Sequence, residues 1–224
     1  SFIHFPELFS LKKRIWYLNY VKNILKRQLD SMDLIIAVSE NTRRDIIEVE
    51  PQAAAKVKVV YPGVEDMFFT KVGADQVAEL RKVHDLPQNF LLSVATLEPR
   101  KNHLFLLKMY EAILNKYPDY DHDLVIVGPT GQMANKLFKY YNSLKARHRI
   151  HFLPYIPREL QPALYQSASL FLFPSLYEGF GFPVLEAQAS GTPCVVSNIS
   201  SLPELVGDSA LLLDPWNALE WADA

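Results

Sequence analysis

The sequence predicts an α/β fold, a parallel sheet with helices on both faces, joined to a partial second α/β unit. Three observations lead there. From residue 74 onward short apolar runs alternate with stretches of helical period, the signature of strands connected by crossover helices. A turn at Tyr61-Pro-Gly-Val64 is followed by a segment with no period. The chain has 224 residues, which at roughly 150 per domain is about one and a half domains.

In the first unit, residues 1–62, the apolar residues Ile15, Leu18, Val21, Leu25 and Leu29 recur at steps of three and four, predicting one long amphipathic helix from Leu11 to Met32. Lys12, Lys13, Arg14, Lys22, Lys26 and Arg27 lie mostly off that stripe. Such a basic face suits solvent and also peripheral contact with an anionic membrane surface. Asp33–Val38 and Val57–Val60 read as short strands, and Ser39-Glu-Asn-Thr42 supplies N-cap residues for a helix towards Val49. Residues 63–73 are the expected linker.

In the second unit, residues 74–224, helices are expected at 74–84, about 102–116, about 132–147, 158–166 and 183–190. Strands are expected at 90–95, 124–128, 150–153, 170–173, 194–197 and 210–213. Buried parallel strands bind ligands beyond their carboxyl ends, where loops enter helices. Four loops there stand out: 95–102, 128–131, 153–157 and 174–183.

Composition narrows the function classes. A formal net charge of −2 lacks the basic excess that a phosphate backbone demands, so nucleic acid is not an expected partner. A single cysteine, Cys194, leaves no internal disulfide and no Cys-rich zinc cluster, which suits the cytoplasm. The six histidines show no i, i+4 pair beside a carboxylate, so no metal site is expected. No charged segment precedes an apolar one at the start, and no apolar run reaches the roughly 18 residues of a membrane span. A Walker A sequence is absent, and Gly179-Phe-Gly181 lacks the third small residue of the dinucleotide fingerprint.

The loop richest in chemistry is Glu178-Gly-Phe-Gly-Phe-Pro-Val-Leu-Glu186. Pro183 suits the first helical position, which would leave the Val184 and Leu185 amides open at a positive helix end where a diphosphate is favoured. Gly179 and Gly181 lack a Cβ and allow close backbone approach to a ligand. Glu178 lies before the helix and Glu186 is expected in its first turn, which points to two separate ligand contacts rather than a paired acid and base. The plainer alternative is a helix cap and a turn. In the loop 96–102, Arg100 and Lys101 stand together at a helix N-terminus, where cations oppose the dipole. An anion held by a guanidinium fork and an ammonium would explain them, and solvation is the plainer alternative. Leu153-Pro-Tyr-Ile-Pro157 offers an apolar surface for a nucleobase, or packing alone.

At these residues the sequence resembles the retaining glycosyltransferases of GT-B fold known as family 4 or group 1. Glu178 to Glu186 matches their Glu-x7-Glu motif, and Leu97-Glu-Pro-Arg-Lys-Asn102 their phosphate-gripping loop. Ser190-Gly-Thr-Pro-Cys-Val-Val196 and Leu202-Pro-Glu-Leu-Val-Gly207 match the stretch that follows. The resemblance implies that residues 74–224 form a Rossmann-like donor domain and residues 1–62 the end of an acceptor domain. It implies a GDP-sugar or UDP-sugar donor, with a GDP-mannose-like sugar guessed first, and no metal or other cofactor. Arg100 and Lys101 would hold the diphosphate. Glu186 would bond the ribose, and Tyr155 and Ile156 would border the base. Glu178, the catalytic residue by this analogy, would contact sugar hydroxyls and phosphate together with the backbone of Gly179, Phe180, Gly181, Phe182, Val184 and Leu185. Transfer would go with retention, by front-face substitution rather than through a Glu178 nucleophile, to a glycan or lipid-linked acceptor, in the cytoplasm or at the inner face of its membrane. A nucleotide-sugar epimerase of the same architecture and a non-catalytic binding module are the alternatives.

Two departures from the family pattern stand out. Ala95-Thr96 replaces a Gly-Arg pair, leaving Arg100 to supply that charge, and the chain starts just after the position of a sugar-contacting His, with which His4 is out of register. The chain also stops soon after Trp216, where relatives continue. It is therefore expected to bind donor and to be catalytically incomplete alone.

Overall fold

The structure, a computed structural model, describes residues 5–6 and 11–224, so His4 and the Ser1-Phe2 start lie outside it, as do the side chains of Arg14 and Lys22. The first unit begins with α1 (Leu11–Tyr20), a π-helical turn (Val21–Leu25) and α2 (Lys26–Ser31), running on as one interrupted helix. Then follow β1 (Ile35–Ala37), α3 (Glu40–Val49) and β2 (Val57–Val59), with β1 and β2 paired in parallel. Ser39 accepts the Thr42 amide as the N-cap of α3, as its sequence position predicts.

The apolar stripe of the long helix buries only at its end. Leu25 and Leu29 pack with Ile35, Ala37, Ala53 and Val57, whereas Ile15 and Leu18 remain 55% and 57% exposed. Length explains this: a helix from Leu11 to Ser31 runs for about 30 Å, while three-residue strands offer about 10 Å of sheet to cover it. No helix among the described residues is long and apolar enough to cross a membrane.

The second unit holds six parallel strands in the order β5-β4-β3-β6-β7-β8. These are β3 (Phe90–Val94), β4 (Asp123–Val127), β5 (Ile150–Leu153), β6 (Leu170–Phe173), β7 (Cys194–Ser197) and β8 (Leu211–Leu213). The helices are α4 (Ala74–His84), α5 (His103–Lys116), α6 (Asn135–Ser143), α7 (Gln161–Ser167), α8 (Phe182–Ala189), α9 (Leu202–Val206) and α10 (Ala218–Asp223). Alternate strand residues feed two cores, as a period of two requires. Phe90, Leu92, Phe171 and Phe173 join one face with Tyr165, Val184 and Phe68, while Leu91, Leu124, Ile126 and Leu172 join the other with Leu106, Tyr110 and Trp221.

Four elements differ from expectation. The helix expected at about 132–147 is α6, cut short where Met133 takes a positive φ of 62° and Leu144 an extended ψ of 133°. The expected linker carries a 3-10 turn (Asp66–Phe69) whose Phe68 is fully buried against Tyr165, ring centroids 5.9 Å apart. Helices α9 and α10, of five and six residues, are too short for any period to announce them.

Candidate functional site

Strand order places the site. From β3 the chain steps outward to β4 and β5, and from β6 outward the other way to β7 and β8, so the order reverses between β3 and β6. Loops diverge at such a switch point and leave a crevice beyond the strand ends. The loops after β3 and β6 flank it, and they are stitched together: the Leu176 amide donates to the Arg100 carbonyl at 2.8 Å.

In that crevice Arg100 and Lys101 converge on Glu178. Arg100 Nη1 lies 2.9 Å from Glu178 Oε2, and Lys101 Nζ 2.6 Å from Oε1, which also accepts the Ser175 hydroxyl at 2.6 Å. Glu98 binds the other side of the Arg100 guanidinium at 2.6 Å. Glu178 is only 7% exposed, so the cluster compensates its charges away from bulk water. Burial holds the Lys101 ammonium below its ordinary pKa, with Arg100 acting the same way and Glu178 opposing. Its Nζ also sits 5.1 Å from the centroid of the Phe173 ring.

His103, the first residue of α5, is buried beside this cluster with neither ring nitrogen hydrogen-bonded. Burial, reinforced by the charge of Lys101, pushes its pKa down to about 3. A cleft of about 240 Å³ lies behind the loop, lined by Leu97, Pro99, His103, Met133, Leu137 and Leu176; neither Arg100 nor Lys101 borders it.

Glu186 stands in the second turn of α8 rather than its first, because the helix already starts at Phe182. It is 5% exposed. Arg158 Nη1 donates to its Oε1 at 2.7 Å and the Tyr165 hydroxyl to its Oε2 at 2.9 Å. Ile156 is buried on the same face of the sheet as Tyr165 and Val184, whereas the Tyr155 ring is 64% exposed.

The backbone between the two carboxylates departs from the sequence reading. The Val184 and Leu185 amides are not open: both donate to the Gly181 carbonyl, at 3.0 and 3.4 Å, so the start of α8 caps itself. The missing Cβ of Gly181, whose φ is 144°, makes room for Leu202 and Leu205, whose side chains come within 2.9 and 3.0 Å of where that atom would be. Phe180 is buried and packs edge-on to the half-exposed Phe182.

The first unit docks on this same loop. The Gly179 carbonyl accepts Ser39 Oγ at 2.6 Å and Thr42 Oγ1 at 2.9 Å. Glu204 of α9 in turn accepts the Glu40 and Asn41 amides at the start of α3, at 2.8 and 2.9 Å, and the Tyr61 hydroxyl at 3.0 Å. Sequence reasoning missed Arg158, Tyr165 and His103, which carry no local signal, and did not pick out Ser175 within the loop 174–183. Ser39 and Glu204 lay within segments already singled out, although their contact did not. Among the described residues no three His, Cys, Asp or Glu side chains gather as a metal site would need.

Comparison with known proteins agrees with this architecture. The model "Glycosyl transferases group 1" matches residues 76–224, more than half of the chain, and "Glycosyltransferase Family 4" matches residues 1–67. O-antigen chain mannosyltransferase B of Escherichia coli is 35% identical over 196 residues, 88% of this chain and 51% of that protein. A D-inositol 3-phosphate glycosyltransferase of Corynebacterium aurimucosum is 32% identical over 213 residues, 91% of this chain and 50% of the other. The chain thus spans about half the length of the curated relatives it matches. In fold it resembles Anabaena Alr3699/HepE in complex with UDP-glucose, with a TM-score of 0.80 and 23% identity over 97% of this chain and 58% of that one. Sucrose-phosphate synthase from Thermosynechococcus elongatus gives a TM-score of 0.73 and 24% identity over 89% and 49%. With a family model matching more than half of it, a relative 35% identical over 88% of it and the GT-B arrangement of its parallel sheet, the chain belongs to the group 1 glycosyl transferases.

Proposed function

We propose that this chain supplies the donor site of a hexosyltransferase that moves a sugar from a nucleoside-diphosphate sugar to a glycan or lipid-linked acceptor with retained configuration. The observation that carries the reading is the convergence of Arg100 and Lys101 on one carboxylate at the β3/β6 switch point. Two cations there form an anion clamp, with Glu178 as its internal counter-ion. A donor diphosphate entering the crevice takes over part of that role and is met by a fork and a point charge. Stabilising the departing diphosphate is then the main catalytic contribution, worth several kcal/mol where water is excluded.

Glu178 acts as an orienting group for the clamp and the sugar hydroxyls rather than as a nucleophile. Its two oxygens already accept Arg100, Lys101 and Ser175, which draws electron density away from an attacking lone pair. Glu186 takes the nucleotide ribose, with the Ile156 backbone and Tyr155 ring beside the base. No metal is required, because the cation pair supplies the charge. The mannosyltransferase named among the relatives supports a GDP-mannose-like donor as first choice, and the neighbour holding UDP-glucose supports a nucleotide sugar in general. The exposed stripe and basic residues of α1 support peripheral contact with an anionic membrane surface on the cytoplasmic side.

Calorimetric titration with GDP, UDP and inorganic pyrophosphate tests the donor reading. Binding of one nucleotide, with pyrophosphate competing for it, is the expected result. Failure of both nucleotides to bind at millimolar concentration removes the proposal. Little sugar transfer by this chain alone is also expected.

A further inference from the structure

Resting on the reading of Glu186 as the ribose contact, we propose that Arg158 and Tyr165 are positioning residues that set its carboxylate to receive a ribose diol. They make the site selective for nucleoside diphosphates that keep the 2′-hydroxyl.

The two oxygens of Glu186 are matched one to one with donors: Arg158 Nη1 on Oε1 and the Tyr165 hydroxyl on Oε2. An ionised carboxylate accepts about four hydrogen bonds, so one acceptor position on each oxygen stays open. Neighbouring hydroxyls on a sugar ring present two donors to two such oxygens. A carboxylate free to rotate would offer them in many orientations; one gripped at both oxygens offers a single plane.

Both grips are themselves fixed. The Tyr165 ring is fully buried between Phe68 and Phe171, with centroids 5.9 and 5.5 Å away, and Thr192 Oγ1 donates to the Tyr165 carbonyl at 2.7 Å. Burial and the charge of Glu186 hold its hydroxyl protonated, so it donates throughout the physiological range. Arg158 lies 4.6 Å over the Phe68 ring, and its Nε and Nη2 reach Glu65 Oε1 at 3.1 and 2.6 Å. Its Nη1 also donates to Gln161 Oε1 at 2.7 Å, and Gln161 Nε2 donates to the Ile156 carbonyl at 3.2 Å. One guanidinium therefore ties together the ribose carboxylate, the loop proposed to border the base and, through Glu65, the segment between the two units. The planar fork of Arg suits this; a Lys offers no such geometry.

The experiment compares a nucleoside diphosphate with its 2′-deoxy form. The tighter of GDP and UDP is titrated beside that analogue and beside pyrophosphate, for the unaltered chain and for Tyr165→Phe, Arg158→Met, Arg158→Lys and Glu65→Gln. The unaltered chain prefers the ribose form by on the order of tenfold to a hundredfold, the range for a hydrogen bond to a charged group. Tyr165→Phe and Arg158→Met lose most of that preference while pyrophosphate binding holds. Arg158→Lys recovers nucleotide affinity without recovering the preference. Glu65→Gln, an exposed residue outside the site, lowers the preference part-way with melting temperature unchanged. Variants that bind nucleotide with the original preference overturn the inference alone, as does an unaltered chain that binds both forms equally. An unaltered chain that binds neither GDP nor UDP overturns the donor reading itself.

Discussion

The two ends of the segment from Glu178 to Glu186 hold their carboxylates by different means. Glu178 sits among charges supplied by neighbouring loops: Arg100, Lys101 and, one step out, Glu98. Glu186 is gripped by one guanidinium and one phenol that rest on an aromatic bed of Phe68 and Phe171. An end built from compensating charges can exchange one anion for another with little movement. An end built on core packing holds its geometry whatever is bound. That division suits the proposed donor site, which would release a diphosphate and recognise a nucleoside.

The sharpest break comes from stripping charge at the Glu178 end. Arg100→Ala with Lys101→Ala removes two charge-assisted contacts of about 1.5–3 kcal/mol each, so pyrophosphate affinity falls by about two to four orders of magnitude. Competition calorimetry reads this, and equal loss for a nucleoside without phosphates would erase the distinction between the ends. Next in size, Phe68→Ala removes the bed under Arg158 and Tyr165 and costs about 3–5 kcal/mol of stability, measured by urea unfolding.

Acid gives a third contrast. His103, buried beside the charged end, stays neutral in the fold down to about pH 3, but in the unfolded chain it protonates below about 6.5. Because the unfolded state binds the extra proton, stability is complete above 6.5 and falls by about 1.4 kcal/mol per unit as pH drops from there towards 3. Between pH 6.5 and 5 the loss is about 2 kcal/mol. Denaturant midpoints for the unaltered chain and His103→Gln measure it, and identical pH slopes would clear His103 of the role. The smallest effect is at the docking contact. Glu204→Gln weakens the bonds to the Glu40 and Asn41 amides and costs about 1 kcal/mol, read as a lower melting temperature.

Much of the larger sheet was legible because its strands are short, mainly apolar runs. The spans 150–153, 170–173 and 194–197 coincide with β5, β6 and β7. Glu178, Arg100 and Lys101 were singled out by residue type and loop position, and the structure brings them into one cluster. What stayed hidden depends on separation along the chain. Arg158 and Tyr165 stand 28 and 21 residues before Glu186, and nothing local marks either as its partner. Phe68 looked like part of a linker because one buried aromatic in a short turn has no period. The Gly181 backbone was read as open to ligand, whereas α9 occupies that space, a contact made only when the chain returns through β7.

The Glu204 carboxylate has a bearing on how the chain is made. The amides it receives, at the start of α3, leave the ribosome 163 residues before it does. At 5–20 residues per second, about 8–30 s pass before that acceptor exists. Throughout that interval the newborn first unit has Ser39 to cap its helix but no partner for the two amides beside it. Until Gly179 is made, it also lacks the carbonyl that Ser39 and Thr42 later bind. Its orientation is therefore set late, by the 174–183 loop and then by α9, and a nascent chain arrested before Gly179 carries a first unit that lacks both of these contacts.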